Sequence, residues 1–296
     1  ILKRRAADGL KVIVMVDALS NISVQTQWMY FDLRMNGVAV EGYELPWQLP
    51  VDKLFNLPER NKRFHDKLLI ADAELPEQAI AIGGGMNMAN EYFQVGGNRK
   101  RLWRDQDIAL KGQIVQDMTR SFDQDYKIFT DDKAKYPDLF NSDKTFPVWR
   151  RITNAALSLV EKTIGIKTRI PFVENKFNRA EVDDLHEASK DLKLDFKPVR
   201  ARFIQSRPRF NETHIHDAYI KLIDSTHDEL LIANAYFVPG DELREAMKSA
   251  ARDRGVRIKI ITNSKETNDI PILTVAARYL YADLMSVNKP GAKGGI

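Results

Sequence analysis

The sequence predicts an α/β protein built from two similar halves, each with a mixed β-sheet flanked by helices. The length supports this, because 296 residues is about twice a typical domain. The composition supports it too, because 44% hydrophobic and 29% charged residues are typical of a folded globular chain and exclude collagen-like, coiled-coil and disordered classes. The third observation is a repeated unit, in which a helical segment, a glycine and an apolar strand follow one another.

The repeated unit occurs near the start and near the end of the sequence. The helix-like ILKRRAAD leads to Gly9 and the strand-like LKVIVMVDALSN, and the helix-like ELREAMKSAARDR leads to Gly255 and VRIKIITNSKETN. A glycine after the last helical turn adopts the left-handed conformation at low cost, and the alternating apolar residues that follow are typical of a buried strand. We therefore predict a first half over 1–126, a linker or peripheral helical segment over 127–198 and a second half over 199–296.

The second half begins with a return of the strand pattern. We predict a strand at RARFIQS, a helix at HIHDAYIKLIDST and a strand with a turn at DELLIANAYFVPGD. A threonine, Thr213, stands where it would cap the helix that contains His214 and His216. The last segment, NKPGAKGGI, has few residues suited to a core, which predicts a frayed end.

The most specific segment is RFHDKLLIADAELPEQAIAIGGGMNMANEY. If its first part is a strand, His65 and Lys67 point the same way, because strand side chains alternate with a period of two. The proline-containing stretch 73–77 predicts a turn, and 78–82 predicts the returning strand of a hairpin.

The glycines after this hairpin predict a phosphate site. Gly84 and Gly85 let the backbone approach a ligand closely, and Asn87 adds an amide beside them. The predicted chemistry is phosphoryl transfer without a metal ion, because a neutral imidazole can attack phosphorus while Lys67 and Asn87 stabilise the charge on the non-bridging oxygens. The same residues are also compatible with a plain hairpin that carries a part-buried His65 and a surface lysine.

The order of these residues resembles the signature of the phospholipase D superfamily, as found in its bacterial phospholipase D-like and cardiolipin synthase-like members. The matching residues are His65–x–Lys67–xxxx–Asp72, then Gly84–Gly85–Met86–Asn87, Glu91–Tyr92 and Trp103–Arg104–Asp105. In the second copy of the repeat, AYFVPGDELREAM and IITNSKETND are similar to the upstream part of that family's second half. The resemblance covers most of 1–130 and 200–288.

The resemblance implies two phospholipase D-like halves whose signatures meet at one active site, in the cleft between them. It implies that one histidine forms a phosphohistidine intermediate, while the other protonates the leaving alcohol and then activates the incoming water or alcohol. It implies no metal ion and no cofactor.

The resemblance also assigns roles by position. It implies that His65 is the nucleophile or its acid/base partner and that Asp72 supports the motif structurally. It implies that phosphate is bound by Lys67, Asn87, Gly84 and Gly85. Asp105 would orient the His65 ring and favour its charged form, and Asp107, on the same strand face, is the alternative for that role.

The sequence departs from the family in two ways. The turn between Asp72 and the glycine pair is longer than usual, and no second His–x–Lys occurs. The distance from Gly9 to Gly255, added to position 65, leads past residue 296, so we expect the second pair beyond the sequence shown. A homodimer that supplies the partner histidine and a non-catalytic member of the family are the alternatives.

The predicted function is that of a phospholipase D-like phosphodiesterase or phosphatidyltransferase, which cleaves a phospholipid headgroup through a phosphohistidine without a metal ion. A superfamily nuclease and a non-catalytic lipid- or phosphate-binding protein are the rival predictions. The expected partners are a phospholipid and a peripheral membrane surface, with nucleic acid only for a nuclease. A net charge of +4 gives a mild bias toward anionic partners.

Other features constrain function less. No stretch reaches the roughly 18–20 consecutive apolar residues of a membrane-spanning helix, which leaves soluble, peripheral, secreted and periplasmic locations open. His214 and His216 with Asp217 are compatible with metal binding or with a helix start. The stripe in IPILTVAARYLYADLM is compatible with an acyl-chain groove or with ordinary core.

Overall fold

The computed structural model describes residues 1–17, 21, 24–43, 64–93, 103–135, 187, 193–268 and 270–296. They form two compact units, Ile1–Phe203 and Ile204–Ile296. Both contain helices and small sheets, so the predicted α/β class is confirmed. Within the described ranges, no helix has the length and apolar character needed to cross a bilayer.

The first unit contains two sheets and their helices. Its elements are α1 (Leu2–Ala7), β1 (Ile13–Asp17), α2 (Val24–Met35), β2 (Ala39–Tyr43), β3 (Leu68–Ala71), β4 (Ile80–Gly84), α3 (Asn90–Phe93), β5 (Asp107–Lys111) and α4 (Gln113–Lys135). The strands β1 and β2 pair in parallel, with α2 between them in the chain. The other three strands form an antiparallel sheet in the order β3-β4-β5.

The parallel pair is stabilised by a small core of its own. Gly9 follows α1 with a φ of 88°, as predicted for a left-handed cap. Tyr30 of α2 packs with Val38 and Val40, and all three are buried. Burial raises the pKa of Tyr30 to about 12.

The antiparallel sheet packs against α4. Ala79 and Ala81 of the β4 segment are buried with Val115 and Met118 of α4. Leu68 and Ile70 of β3 contact this core, whereas Leu69 between them is exposed, which is the alternation expected for a strand with one covered face. This packing fixes the position of the hairpin that carries the histidine–lysine motif.

The second unit is a parallel strand pair with helices. Its elements are α5 (His214–Asp224), β6 (Glu229–Ala233), α6 (Asp241–Arg254), β7 (Arg257–Ile261) and α7 (Pro271–Met285). Gly255 ends α6 with a φ of 75°, again as predicted. Met247 and Val256 lie in one buried core with Ile258 and Leu284, so that both strands and all three helices enclose a single apolar centre.

The prediction of a frayed tail is wrong. Gly295 forms a parallel bridge with Arg257 of β7, and its carbonyl accepts a hydrogen bond from the N–H of Ile258 at 2.7 Å. The side chain of Asn288 donates to the Ile296 carbonyl at 2.7 Å and accepts from its N–H at 2.8 Å. Few apolar residues are needed here, because backbone hydrogen bonds dock the segment.

Two local predictions around residue 205 are also wrong. RARFIQS is not a strand, because among the described residues no other strand pairs with it. Thr213 occupies the N-cap position of α5, yet its hydroxyl donates to the carboxylate of Asp217 at 3.1 Å. The N–H of Ile215 is satisfied instead by the hydroxyl of Ser206 at 2.8 Å.

The predicted domain limits stay predictions. The limit at residue 126 falls inside α4, whose Phe129 is buried. Most of the predicted segment 127–198 lies outside the described residues.

Candidate active site

The histidine–lysine motif lies immediately before β3. The interpretation that His65 and Lys67 lie within the strand is wrong, because β3 begins at Leu68. Its partner β4 ends at Gly84, whose N–H makes a long hydrogen bond of 3.4 Å to the Lys67 carbonyl. His65 therefore lies beyond the paired backbone and is an exposed residue.

Desolvation and a neighbouring charge lower the pKa of the imidazole. Lys67 Nζ donates a hydrogen bond to the main-chain oxygen of His65 at 2.9 Å. Although His65 is exposed overall, desolvation by neighbouring atoms lowers its pKa, and the charge of Lys67 lowers it further, against the opposing effects of Asp66 and Asp17. Desolvation also lowers the pKa of Lys67, opposed by Asp66 and Asp105. A neutral imidazole has the lone pair that attack on phosphorus requires.

The glycine pair faces two carboxylates of the β5 segment. Gly84 lies opposite Asp107 in the antiparallel ladder, and a Cβ at Gly84 would overlap that carboxylate and lie 2.6 Å from the Gln106 carbonyl. A Cβ at Gly85 would lie 2.5 Å from Asp105 Oδ1. The N–H of Met86 donates to Asp107 Oδ1 at 3.3 Å. These glycines are therefore required by the neighbouring carboxylates, and their binding of phosphate stays a prediction.

Three carboxylates act on the pKa values of the motif. Asp66 raises the pKa of both His65 and Lys67, whereas Asp17 acts on His65 and Asp105 acts on Lys67. Orientation of the His65 ring by Asp105, or by Asp107, stays a prediction. Asp17 ends a parallel strand, which is where ligand-binding residues often lie in α/β sheets, but its effect on His65 was not predicted from the sequence.

Asp72 lies in the hairpin turn. It has a φ of 54°, in the left-handed region that aspartate tolerates better than most residues. Its carbonyl accepts a hydrogen bond from the N–H of Leu75 at 2.8 Å, which starts the turn. This position suits the structural role that the resemblance implies, at the end of β3 away from His65.

Asn87 follows the glycine pair and is exposed. Its Nδ2 donates to the hydroxyl of Tyr92 at 2.9 Å, and the Tyr92 ring stacks on Trp103. The first unit thus holds the predicted imidazole, ammonium and amide on the segments that flank one hairpin.

Comparisons with known proteins agree with the motif. A family model described as "Cardiolipin synthase, PLD-like domain" matches residues 219–290. Cardiolipin synthase B of Escherichia coli (strain K12) is 27% identical over 295 residues, which cover 98% of this chain and 54% of that protein. Cardiolipin synthase of Clostridium perfringens (strain 13 / Type A) is 26% identical over 263 residues, covering 88% and 42%. Both matches cover most of this chain, yet the chain spans only about half the length of these curated relatives.

These matches support membership of the phospholipase D superfamily. Cardiolipin synthase B of Salmonella typhi is 43% identical over a shorter stretch of 91 residues, which covers 30% of this chain and 20% of that protein. The match to the family model falls within the second unit, whereas the His65 signature lies in the first. No solved structure matches the chain.

The second unit contains weaker candidates. His216 contacts Asp217 at 3.5 Å and Glu242 at 3.3 Å. In the part of the chain that the structure describes, no group of three or more metal-ligating side chains comes together. A shallow pocket open to solvent lies beside the ends of β6 and β7; its lining includes Asn263, Asn268, Thr274 and Tyr281.

Proposed function

We propose that this protein is a phospholipase D-type phosphatidyltransferase or phosphodiesterase that acts on phospholipid headgroups. The observation that carries the proposal is the exposed His65 beside Lys67, with an imidazole whose pKa is lowered by desolvation and by that lysine. The similarity to proteins named cardiolipin synthase supports a phospholipid as the substrate class.

The reaction proceeds through a covalent phosphohistidine. A ring nitrogen of neutral His65 donates its lone pair to phosphorus, and the phosphorus–oxygen bond to the leaving alcohol breaks. An acid protonates the leaving oxygen, and a water or alcohol then attacks the phosphohistidine after losing its proton to the same group. Lys67 and Asn87 stabilise the charge on the non-bridging oxygens, so the step needs no metal ion.

The acid/base group is the histidine of a second His–Lys pair, which we place beyond residue 296. This proposal has support from the element order of the two units. In the first unit α1, Gly9 and β1 precede a helix and a parallel partner strand, β2. In the second unit α6, Gly255 and β7 precede a helix and the parallel bridge of Gly295. We propose on this basis that the enzyme has two similar halves, one of which supplies His65 and the other the second histidine.

A peripheral membrane surface is the partner of this enzyme. Ile272, Val275 and Tyr279 on one face of α7 are exposed, Ile272 by 69% and Tyr279 by 80%. On the opposite face of the same helix Ala277 and Leu284 are buried, and Leu284 belongs to the core of the second unit. A helix that is apolar on both faces and covered on one is suited to contact with lipid.

The test is an assay of headgroup release from phosphatidylcholine and phosphatidylglycerol, and of single-stranded DNA cleavage, each with and without chelator. The intact protein is compared with His65→Ala and with the matched control His227→Ala, an exposed histidine before β6. We expect chelator-resistant release that falls at least about 10³-fold in His65→Ala and is retained in His227→Ala. A ³²P-labelled substrate should leave an acid-labile label on the protein.

The other outcomes contradict the proposal in different ways. Cleavage of DNA alone would indicate a nuclease of the same superfamily. Vesicle or phosphate binding without turnover would indicate a non-catalytic member. Release that is lost on adding chelator would contradict the metal-free step.

A further inference from the structure

The amide of Asn87 is bound to the phenol of Tyr92. Asn87 Nδ2 donates to Tyr92 Oη at 2.9 Å. The backbone between them is wound into turns, because the N–H of Ala89 donates to the Asn87 carbonyl at 2.9 Å and the N–H of Tyr92 donates to the Ala89 carbonyl at 3.1 Å. These turns bring the Tyr92 side chain back to Asn87.

Tyr92 is held in turn by Trp103. The two rings stack with centroids 6.1 Å apart and an interplanar angle of 25°, and both residues are half-buried. Trp103 lies two residues before Asp105, on the segment that leads into β5. The phenol is therefore anchored to a different part of the first unit from the one that carries Asn87.

We propose that Tyr92 is a positioning residue that holds the Asn87 amide ready to donate to an oxygen of the substrate phosphate. The inference rests on the proposed function. Nδ2 carries two N–H groups, and Tyr92 accepts from one of them, so the second on the same nitrogen can reach an anionic oxygen. An exposed asparagine would otherwise rotate, and a donor that is ordered before charge develops stabilises the transition state better than one that must first be ordered.

Tyr92→Phe tests this, because it removes the hydroxyl and keeps the ring that stacks on Trp103. We expect a fall in kcat of about three- to tenfold with little change in KM, the size of one hydrogen bond. Asn87→Ala should lower kcat by about 10²–10³-fold. Adding Tyr92→Phe to Asn87→Ala should lower kcat no further, since the hydroxyl acts only through the amide. The matched control is Tyr219→Phe, an exposed tyrosine of α5 in the second unit, which should keep full activity.

A second measurement is independent of turnover. Inorganic phosphate is titrated into the intact protein while the side-chain amide of Asn87 is followed by NMR, and we expect the dissociation constant to rise about three- to tenfold in Tyr92→Phe. If no phosphodiester is turned over, the proposed function fails, while this titration still decides the role of Tyr92. Three results would each overturn the inference. They are full activity in Tyr92→Phe, a Tyr92→Phe substitution that lowers kcat by the same factor in the intact protein and in Asn87→Ala, and a phosphate dissociation constant that Tyr92→Phe leaves unchanged.

Discussion

Replacing Gly84 with alanine is expected to destabilise the first unit by about 2 kcal/mol. The added Cβ would overlap the Asp107 carboxylate and lie 2.6 Å from the main-chain oxygen of Gln106. A side chain can rotate away, but the Gln106 backbone cannot move without disturbing the pairing of the adjacent Asp107 with β4. Overpacking of this kind costs about 1–3 kcal/mol.

The neighbouring glycines provide matched controls. At Gly83 the nearest atom to an added Cβ is the Lys67 oxygen at 3.5 Å, an ordinary contact, so Gly83→Ala should change stability by less than about 0.5 kcal/mol. At Gly85 the close contacts are with side-chain atoms of Asp105 alone, so Gly85→Ala should cost less than about 1 kcal/mol while displacing that carboxylate.

Tryptophan fluorescence during thermal unfolding reports on the first unit, because all four tryptophans of the sequence precede residue 204, where the second unit begins. For a unit of this size, about 2 kcal/mol corresponds to a fall in Tm of about 4–8 °C. Equal Tm values for Gly83→Ala and Gly84→Ala would refute the argument, since they would show that the carboxylate and the Gln106 oxygen do not occupy the space beside Gly84.

Three further predictions concern the charge of the motif and the packing of the second unit. NMR titration should show His65 gaining its proton at a lower pH than an ordinary histidine, and Lys67→Met should raise the pKa of His65, because the lysine charge is one of its causes; an unchanged or lower value would contradict this. Since the unfolded chain binds that proton more readily, His65 makes stability fall as the pH drops below the ordinary histidine value. Gly294→Ala should lower the Tm of the second unit by displacing the terminal segment, because its Cβ would meet three backbone atoms, and circular dichroism would detect it; an unaltered Tm is the contrary result. Tyr281→Phe should cost about 1 kcal/mol in urea unfolding, because its hydroxyl donates to the Phe237 carbonyl at 2.8 Å, and the prediction fails if the midpoint stays unchanged.

Periodicity and turn chemistry predicted much of the fold. Gly9 and Gly255 have the left-handed conformations expected after a helix, and each precedes a strand. The hairpin β3–β4 forms where the alternating residues and the proline-containing turn predicted it. These features depend on local preferences that neighbouring residues carry in the sequence.

Features that depend on distant partners were not predictable. The ladder between β3 and β4 begins only at Leu68 because β4 stops at Gly84, and the requirement for Gly84 comes from Gln106 and Asp107. The terminal segment docks through main-chain hydrogen bonds around Gly295, which composition does not reveal. In the same way, the bond between Asn87 and Tyr92 could not be read from two residues five positions apart.

The long turn of the hairpin lies at the end of the sheet away from His65. Strand pairing runs from Leu68 with Gly83 to Ala71 with Ile80, so the residues of the turn project from the rim opposite His65. Insertions at exposed loop tips are among the best tolerated changes in proteins. An epitope or a fluorescent reporter grafted there, near Glu74, would therefore leave the surroundings of His65 untouched.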